Sequence, residues 1–242
     1  MESTLVVKQP TDFKRGIQSG ISIAIGYMPV ALTFGLIAKT TGLALSETVM
    51  MSLLVFAGAA QYISLSLLAQ GIGIFEVVLT TFIVNIRHFL MSASLNEKAE
   101  EDTVGARMGY SFGITDETFS VAATREGTIN ARYMFGLNLT AYSSWVVFSG
   151  LGFIIGAGLP QTLQESMSVA LYAMFVGLLV PSMKSNVKVV FLAVLAAAFN
   201  SIFTMAELMS TGWAIVLATL LSAILVEAVE IFKKGRGTEA DE

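Results

Sequence analysis

The 242-residue sequence contains no cysteine. That absence removes disulfides, thiolate metal sites and thiol nucleophiles together. A single histidine, His88, rules out any multi-histidine metal centre. No Gly-Lys dipeptide occurs, so a phosphate-binding P-loop is missing and the chain has no nucleotide motor of its own. Neither Gly-x-Ser-x-Gly nor His-Glu-x-x-His is present. The net charge is −4, set mainly by residues 96–117 and by the final Glu-Ala-Asp-Glu, which argues against a nucleic-acid partner. Charge of either sign is scarce, at 13% of residues against roughly 25% in soluble domains.

What fills the chain instead is apolar sequence, 55% of residues. Charge-free stretches run over Gly16–Ala38, Thr48–Gly71, Tyr133–Gln164, Ser166–Met183, Val189–Ala206 and Leu208–Val226. Each is near or above the roughly 18 residues a helix needs to cross the hydrocarbon core. Lipid leaves no water to satisfy backbone amides, and continuous runs without period-2 alternation exclude a barrel. The expected fold is an all-α polytopic membrane protein. Residues 1–13 are expected as an N-terminal arm, 14–232 as a single transmembrane domain and 233–242 as a tail.

Seven spans are expected at 16–38, 46–69, 73–95, 130–158, 166–183, 186–206 and 210–232. The intervening segment 96–129 is semi-polar, and loop cations decide its reading, because short cytoplasmic loops collect Lys and Arg. If it crosses, Lys8, Lys14, Arg15, Arg125, Arg132, Lys184, Lys188, Lys233, Lys234 and Arg236 all fall inside. The expectation is therefore about eight transmembrane segments with both termini cytoplasmic, the fourth short, broken or partly re-entrant. The cell membrane is the expected location.

Irregular residues inside the spans mark where chemistry is expected. Pro29 with Gly26 predicts a break near 25–29, a device by which transporters expose backbone groups to substrate; a kink repaired by neighbours is the plainer reading. Gln61 ends Phe56-Ala-Gly-Ala-Ala-Gln61, an amide that needs a partner or water in a charge-free span. A fainter echo, Ala196-Ala-Ala-Phe-Asn200, follows Pro181, and an inverted repeat is a further expectation. The third span carries Glu76, Arg87 and His88, with Thr81, Asn85, His88 and Ser92 on one helical stripe. Glu76 and Arg87 lie about 16 Å apart along a helix, so Arg87 needs another anion. Asp116-Glu117 is its natural counterion if the fourth segment enters the membrane. Arg87 either snorkels or pairs structurally, or it binds substrate. His88 either carries protons or makes a helix–helix hydrogen bond.

The runs Phe56-Ala-Gly-Ala-Ala-Gln61, Val84-Asn-Ile-Arg-His88, Ile114-Thr-Asp-Glu-Thr-Phe119 and Met174-Phe-Val-Gly-Leu-Leu-Val-Pro181 together resemble the AzlC-type family, the large subunits of branched-chain amino-acid exporters. The resemblance implies export of hydrophobic amino acids such as leucine, isoleucine, valine or methionine, with a small hydrophobic AzlD-type membrane subunit as partner. It places family motifs on Gln61, Asn85, Arg87, His88, Thr115, Asp116 and Glu117. With Gly26 and Pro29 these are the expected substrate-binding or translocation residues, and His88, Asp116 and Glu117 the proton-coupling ones. No cofactor or metal is expected. An intramembrane enzyme using Asp116, Glu117 and His88, and a non-transporting scaffold, are the alternatives; the first lacks a nucleophile–base set, and the second leaves Asn85, Arg87 and His88 in an apolar span unexplained.

Overall fold

A computed structural model describes residues 11–155 and 186–238, with isolated positions between, and side-chain surroundings as far as residue 229 and at 231. The arm before residue 11, the expected 166–183 span with Pro181, and the last four residues lie outside the described residues. All regular structure among the described residues is helical. Among the described residues, five helices are long and apolar enough to cross a membrane: Asp12–Thr40, Ile74–Asn96, Ala131–Ile155, Val187–Met205 and Thr211–Val229. The chain divides into two compact units, residues 1–65 with 85–168, and residues 66–84 with 169–242.

In the first unit, α1 (Asp12–Thr40) starts at the Thr11 cap, whose side chain accepts from the Lys14 amide. It runs parallel to α8 (Ala131–Ile155) along a seam of small residues. A Cβ at Gly16 would sit 2.1 Å from the Tyr133 carbonyl, and one at Gly35 2.0 Å from the Ser149 carbonyl. One at Gly152 would meet the Leu32 carbonyl at 2.1 Å. The two backbones thus touch from end to end, as small residues allow in helix pairs that lack a hydrophobic driving force.

The break expected at Gly26–Pro29 is absent, and α1 is continuous through Pro29. Neighbouring side chains explain this. Ser144 donates to the Ala24 carbonyl at 2.7 Å, Thr33 to the Pro29 carbonyl at 2.9 Å and Tyr62 to the Val30 carbonyl at 2.7 Å. The Ser144 and Tyr62 bonds tie α1 to α8 and α3 on either side of the proline, and the close α8 seam holds the helix continuous there.

The expected single helix over 46–69 is instead two, α2 (Leu45–Leu54) and α3 (Gly58–Ala69). Between them Phe56 has φ +41, the left-handed region that bulky residues avoid at a cost of about 1–3 kcal/mol. The chain reverses there. Val49 lies against Gly150, Phe56 meets Tyr27, and then Tyr62 climbs back to Val30 and Phe34.

Segment 96–129 also turns back on itself. Its helices α6 (Val104–Ser111) and α7 (Asp116–Thr124) are each too short to cross. Both outer ends of this segment lie at the start of α8. The Glu100 amide donates to the Ile129 carbonyl at 2.8 Å, and the Ile129 amide to the Lys98 carbonyl at 3.0 Å. Lys98 Nζ caps α7 by donating to the carbonyls of Ala123 and Arg125, and Asp12 at the start of α1 accepts from Asn130 Nδ2 at 2.9 Å. Lys98 is therefore beside Arg125, on the same side as the start of α8. Between these turns α4 (Ile74–Asn85) and α5 (Arg87–Asn96) follow one another with only Ile86 between, its backbone still helical.

In the second unit, α9 (Val187–Met205) and α10 (Thr211–Thr238) form a pair, with Lys188 Nζ 2.7 Å from Glu227 Oε2. Glu76 of α4 caps α10, accepting from the Ser210 hydroxyl and from the Trp213 amide at 3.2 Å. A carboxylate at a helix N-terminus satisfies orphan donors and complements the dipole, which explains this acidic residue in an apolar run.

Candidate functional site

The two chain reversals meet. Phe56, at the α2–α3 turn, and Phe112, at the α6–α7 turn, have ring centroids 6.3 Å apart. Tyr142 of α8 packs edge-on against both, at 5.0 and 5.9 Å, and Tyr27 of α1 packs edge-on against Trp145 at 5.2 Å. Edge-to-face packing at these separations is the favoured aromatic geometry and fixes the tips in place. The first turns of α3 and α7 start from these tips, which places both helix N-termini, with their positive dipole ends, beside the aromatic cluster.

Polar groups collect on the α7 side. Thr115 caps α7, its hydroxyl accepting from the Thr118 amide at 3.3 Å, while the Thr115 amide donates to the Thr118 hydroxyl at 2.8 Å. This reciprocal box orients the next two residues. Tyr27 Oη donates to Glu117 Oε2 at 2.6 Å and lies 2.7 Å from Thr115 Oγ1. Having spent its only proton on the carboxylate, Tyr27 accepts from Thr115. Asp116 faces the other way, and its Oδ2 is 2.8 Å from Arg87 Nη2 of α5. Three elements, α1, α5 and α7, are thus tied by two carboxylates of adjacent residues.

The site is incomplete as a hydrogen-bond network. Arg87 Nε and Asn85 Oδ1 are buried without a partner among the described residues, a donor and an acceptor two residues apart. Unsatisfied buried polar atoms are costly and rare. His88 is half-buried and within electrostatic range of Arg87 and Glu117, with no hydrogen bond to another described residue.

Of the expected residues, Arg87, Thr115, Asp116 and Glu117 are joined by direct contacts to one another or through Tyr27. Gly26 and Pro29 flank Tyr27 on α1, and a Cβ at Gly26 would meet nothing within 4 Å. Gln61 belongs to a separate network. It is fully buried, its Oε1 accepts from Trp145 Nε1 at 2.9 Å, and its Nε2 donates to Ser52 Oγ at 3.2 Å. Ser52 donates to Ser149 Oγ at 2.9 Å, and Ser149 to the Trp145 carbonyl at 2.7 Å. Gln61 thereby pins both arms of the α2–α3 reversal to α8. Gln61→Leu is expected to leave the Trp145 donor unpaired and lower stability by about 1–3 kcal/mol. Thermal unfolding in detergent checks this, and a parent-like midpoint would contradict it.

Sequence reasoning missed Tyr27, Phe112, Asn138 and Tyr142. The signal was available for Asn138, an amide in a charge-free run like Gln61, and for Tyr27, whose hydroxyl required a partner inside an apolar span. No group of three or more His, Asp or Glu side chains is placed to hold a metal among the described residues.

Residues 22–159, which contain every group of this site, match the family described as AzlC protein. A membrane protein of Archaeoglobus fulgidus is 32% identical over 178 residues, 72% of this chain and 77% of that one. The inner membrane protein YgaZ of Escherichia coli is 29% identical over 235 residues, 94% of each chain. The branched-chain amino acid transport protein AzlC of Bacillus subtilis is 24% identical over 148 residues, 60% of this chain and 58% of that one. No solved structure matches. With these relatives and several apolar helices of spanning length, the chain is a multi-pass membrane protein belonging to the AzlC family.

Proposed function

We propose that the chain is the large subunit of a gradient-driven exporter of branched-chain and other hydrophobic amino acids, leucine, isoleucine, valine and methionine among them. It works in the cytoplasmic membrane with a small hydrophobic AzlD-type subunit. The observation that carries this reading is the meeting of two chain reversals beside an Arg87–Asp116 pair, inside a helical unit whose relatives include a protein named for branched-chain amino-acid transport. Reversed helices of this kind give transporters backbone and charged groups near the midplane.

A zwitterion fits the unused groups. Its carboxylate takes Arg87, including the unpaired Nε, and its ammonium takes Asp116 or Glu117. Substrate and Asp116 then compete for one guanidinium, so binding opens the contact between α5 and α7. Tyr27 and Thr115 hold Glu117 as the ammonium arrives, and His88, Asp116 and Glu117 are the groups able to pass a proton. Gly26 and Pro29 contribute by placing Tyr27.

The two reversals support a topology of six crossings, the five long helices among the described residues and the span expected from sequence at 166–183, with α2–α3 and α6–α7 as re-entrant hairpins from opposite faces. Residues 14–232 then act as one transport domain with both termini cytoplasmic. Lys14, Arg15, Lys98, Arg107, Arg125, Arg132, Lys184 and Lys188 lie inside, leaving Lys39 outside.

The test is efflux of labelled leucine, valine and methionine from membrane vesicles holding the chain, with and without the small subunit. Efflux with both subunits is expected. No flux of any of the three under either condition removes the reading.

A further inference from the structure

Beside the α6–α7 turn, α6 and α8 leave a cleft of about 130 Å³. Its walls are the side chains of Phe112, Phe135, Leu139 and Tyr142, with Asn138 at one side. Glycines keep it open. A Cβ at Gly113 would sit 2.4 Å from Asn138 Nδ2, and one at Gly109 would lie 3.1 Å from the Phe135 ring. Asn138 is 6% exposed, and its amide orientation is fixed because Nδ2 donates to the Tyr110 carbonyl at 2.7 Å. Its Oδ1 is therefore the atom left over, buried without a partner among the described residues.

An apolar cavity of about 150 Å³ takes one benzene molecule, so this cleft suits one aliphatic or small aromatic side chain and excludes anything drug-sized. The stranded oxygen asks for a donor. A lipid acyl chain would fill the apolar walls and leave Asn138 unsatisfied; a hydrophobic amino acid brings both a side chain and three N–H donors. Gly113 of the cleft accepts at its carbonyl from the Thr118 hydroxyl at 2.9 Å, so the cleft lies beside the start of α7, which carries Asp116 and Glu117.

We propose that this cleft is the specificity pocket for the side chain of the transported amino acid, with Asn138 Oδ1 accepting one N–H of its ammonium group. The inference rests on the transport reading above and adds the determinant of substrate size. In an apolar pocket one methylene discriminates by roughly 10–200-fold.

The test compares efflux of labelled alanine, valine, leucine and phenylalanine from vesicles holding the full chain and its small subunit, normalised to membrane-inserted protein. Leu139→Phe narrows the cleft and is expected to lower the leucine-to-alanine ratio about tenfold. Phe112→Leu widens it and is expected to raise phenylalanine over leucine severalfold, which keeps the proposal testable where Leu139→Phe fails to insert. Leucine, and not glycine, is expected to protect the unsubstituted chain from heat unfolding in detergent. Parent-like ratios in the inserted variants overturn the pocket and leave transport standing, as does equal protection by glycine where neither variant inserts. Absence of flux for every amino acid in the unsubstituted chain overturns both.

Discussion

Asp116→Asn is expected to lower leucine efflux by roughly thirtyfold, and Arg87→Gln in the same chain to recover part of that loss. The magnitude comes from the cost of stranding a charge. Removing one partner of a fully buried ion pair costs about 3–5 kcal/mol. The pair here is partly accessible, with side-chain exposures of 39% for Arg87 and 23% for Asp116, so about 2 kcal/mol is the appropriate figure. Arg87 already has one N–H without an acceptor, and losing Asp116 leaves the guanidinium free to bind substrate too tightly or to pull α5 out of place. Neutralising both residues removes the stranded charge and restores the packing, though not the specific attraction for a carboxylate. Tyr27→Phe should have a smaller effect, since Glu117 loses one donor and keeps its position on α7. Initial efflux rates from vesicles with matched protein content decide the matter. A parent-like rate in Asp116→Asn would end the assignment.

Those charged groups were legible in the sequence because each is expensive in an apolar run. The ionisable residues of the third span pointed to Arg87, and its need for an anion pointed to Asp116-Glu117. Glu76 drew the same attention, and the structure gives it a capping task at α10. The hairpins were harder to read. Hydropathy follows how apolar a stretch is, and residues 46–69 stay apolar through the turn at Phe56, so nothing in periodicity distinguishes a reversal from a crossing. For 96–129 the turn is stabilised by pairing between Lys98–Glu100 and Ile129, a contact between distant residues that local sequence does not carry. Pro29 misled in the opposite direction. Proline weakens a helix locally, and Ser144 and Tyr62, distant in sequence, hold α1 on either side of it. Gly16 and Gly20 lie on the α1–α8 seam, where small residues let the two backbones meet.

That seam carries the largest stability effect expected. Gly35→Ala places a methyl carbon 2.0 Å from the Ser149 carbonyl oxygen and 2.5 Å from the Phe153 amide nitrogen, and Gly152→Ala places one 2.1 Å from the Leu32 carbonyl. All three obstacles are backbone atoms, so no rotamer change relieves the overlap, and α1 must move away from α8. Overpacking ordinarily costs about 1–3 kcal/mol where side chains can yield. Here the upper end is expected, about 3 kcal/mol, or roughly 6–12 °C in the unfolding midpoint of a chain this size. The displacement also reaches the site, because α1 carries Tyr27 and α8 carries Trp145 and Tyr142, so efflux should fall with stability. Gly26→Ala is the matched comparison on the same helix. Its Cβ would meet nothing within 4 Å, and replacing glycine in a helix interior gains about 0.5–1 kcal/mol. Its midpoint should therefore stay level or rise while those of Gly35→Ala and Gly152→Ala drop. Equal midpoints for the three would mean that the backbones of α1 and α8 are not in contact, and the aromatic and carboxylate geometry built on that contact would fall with it.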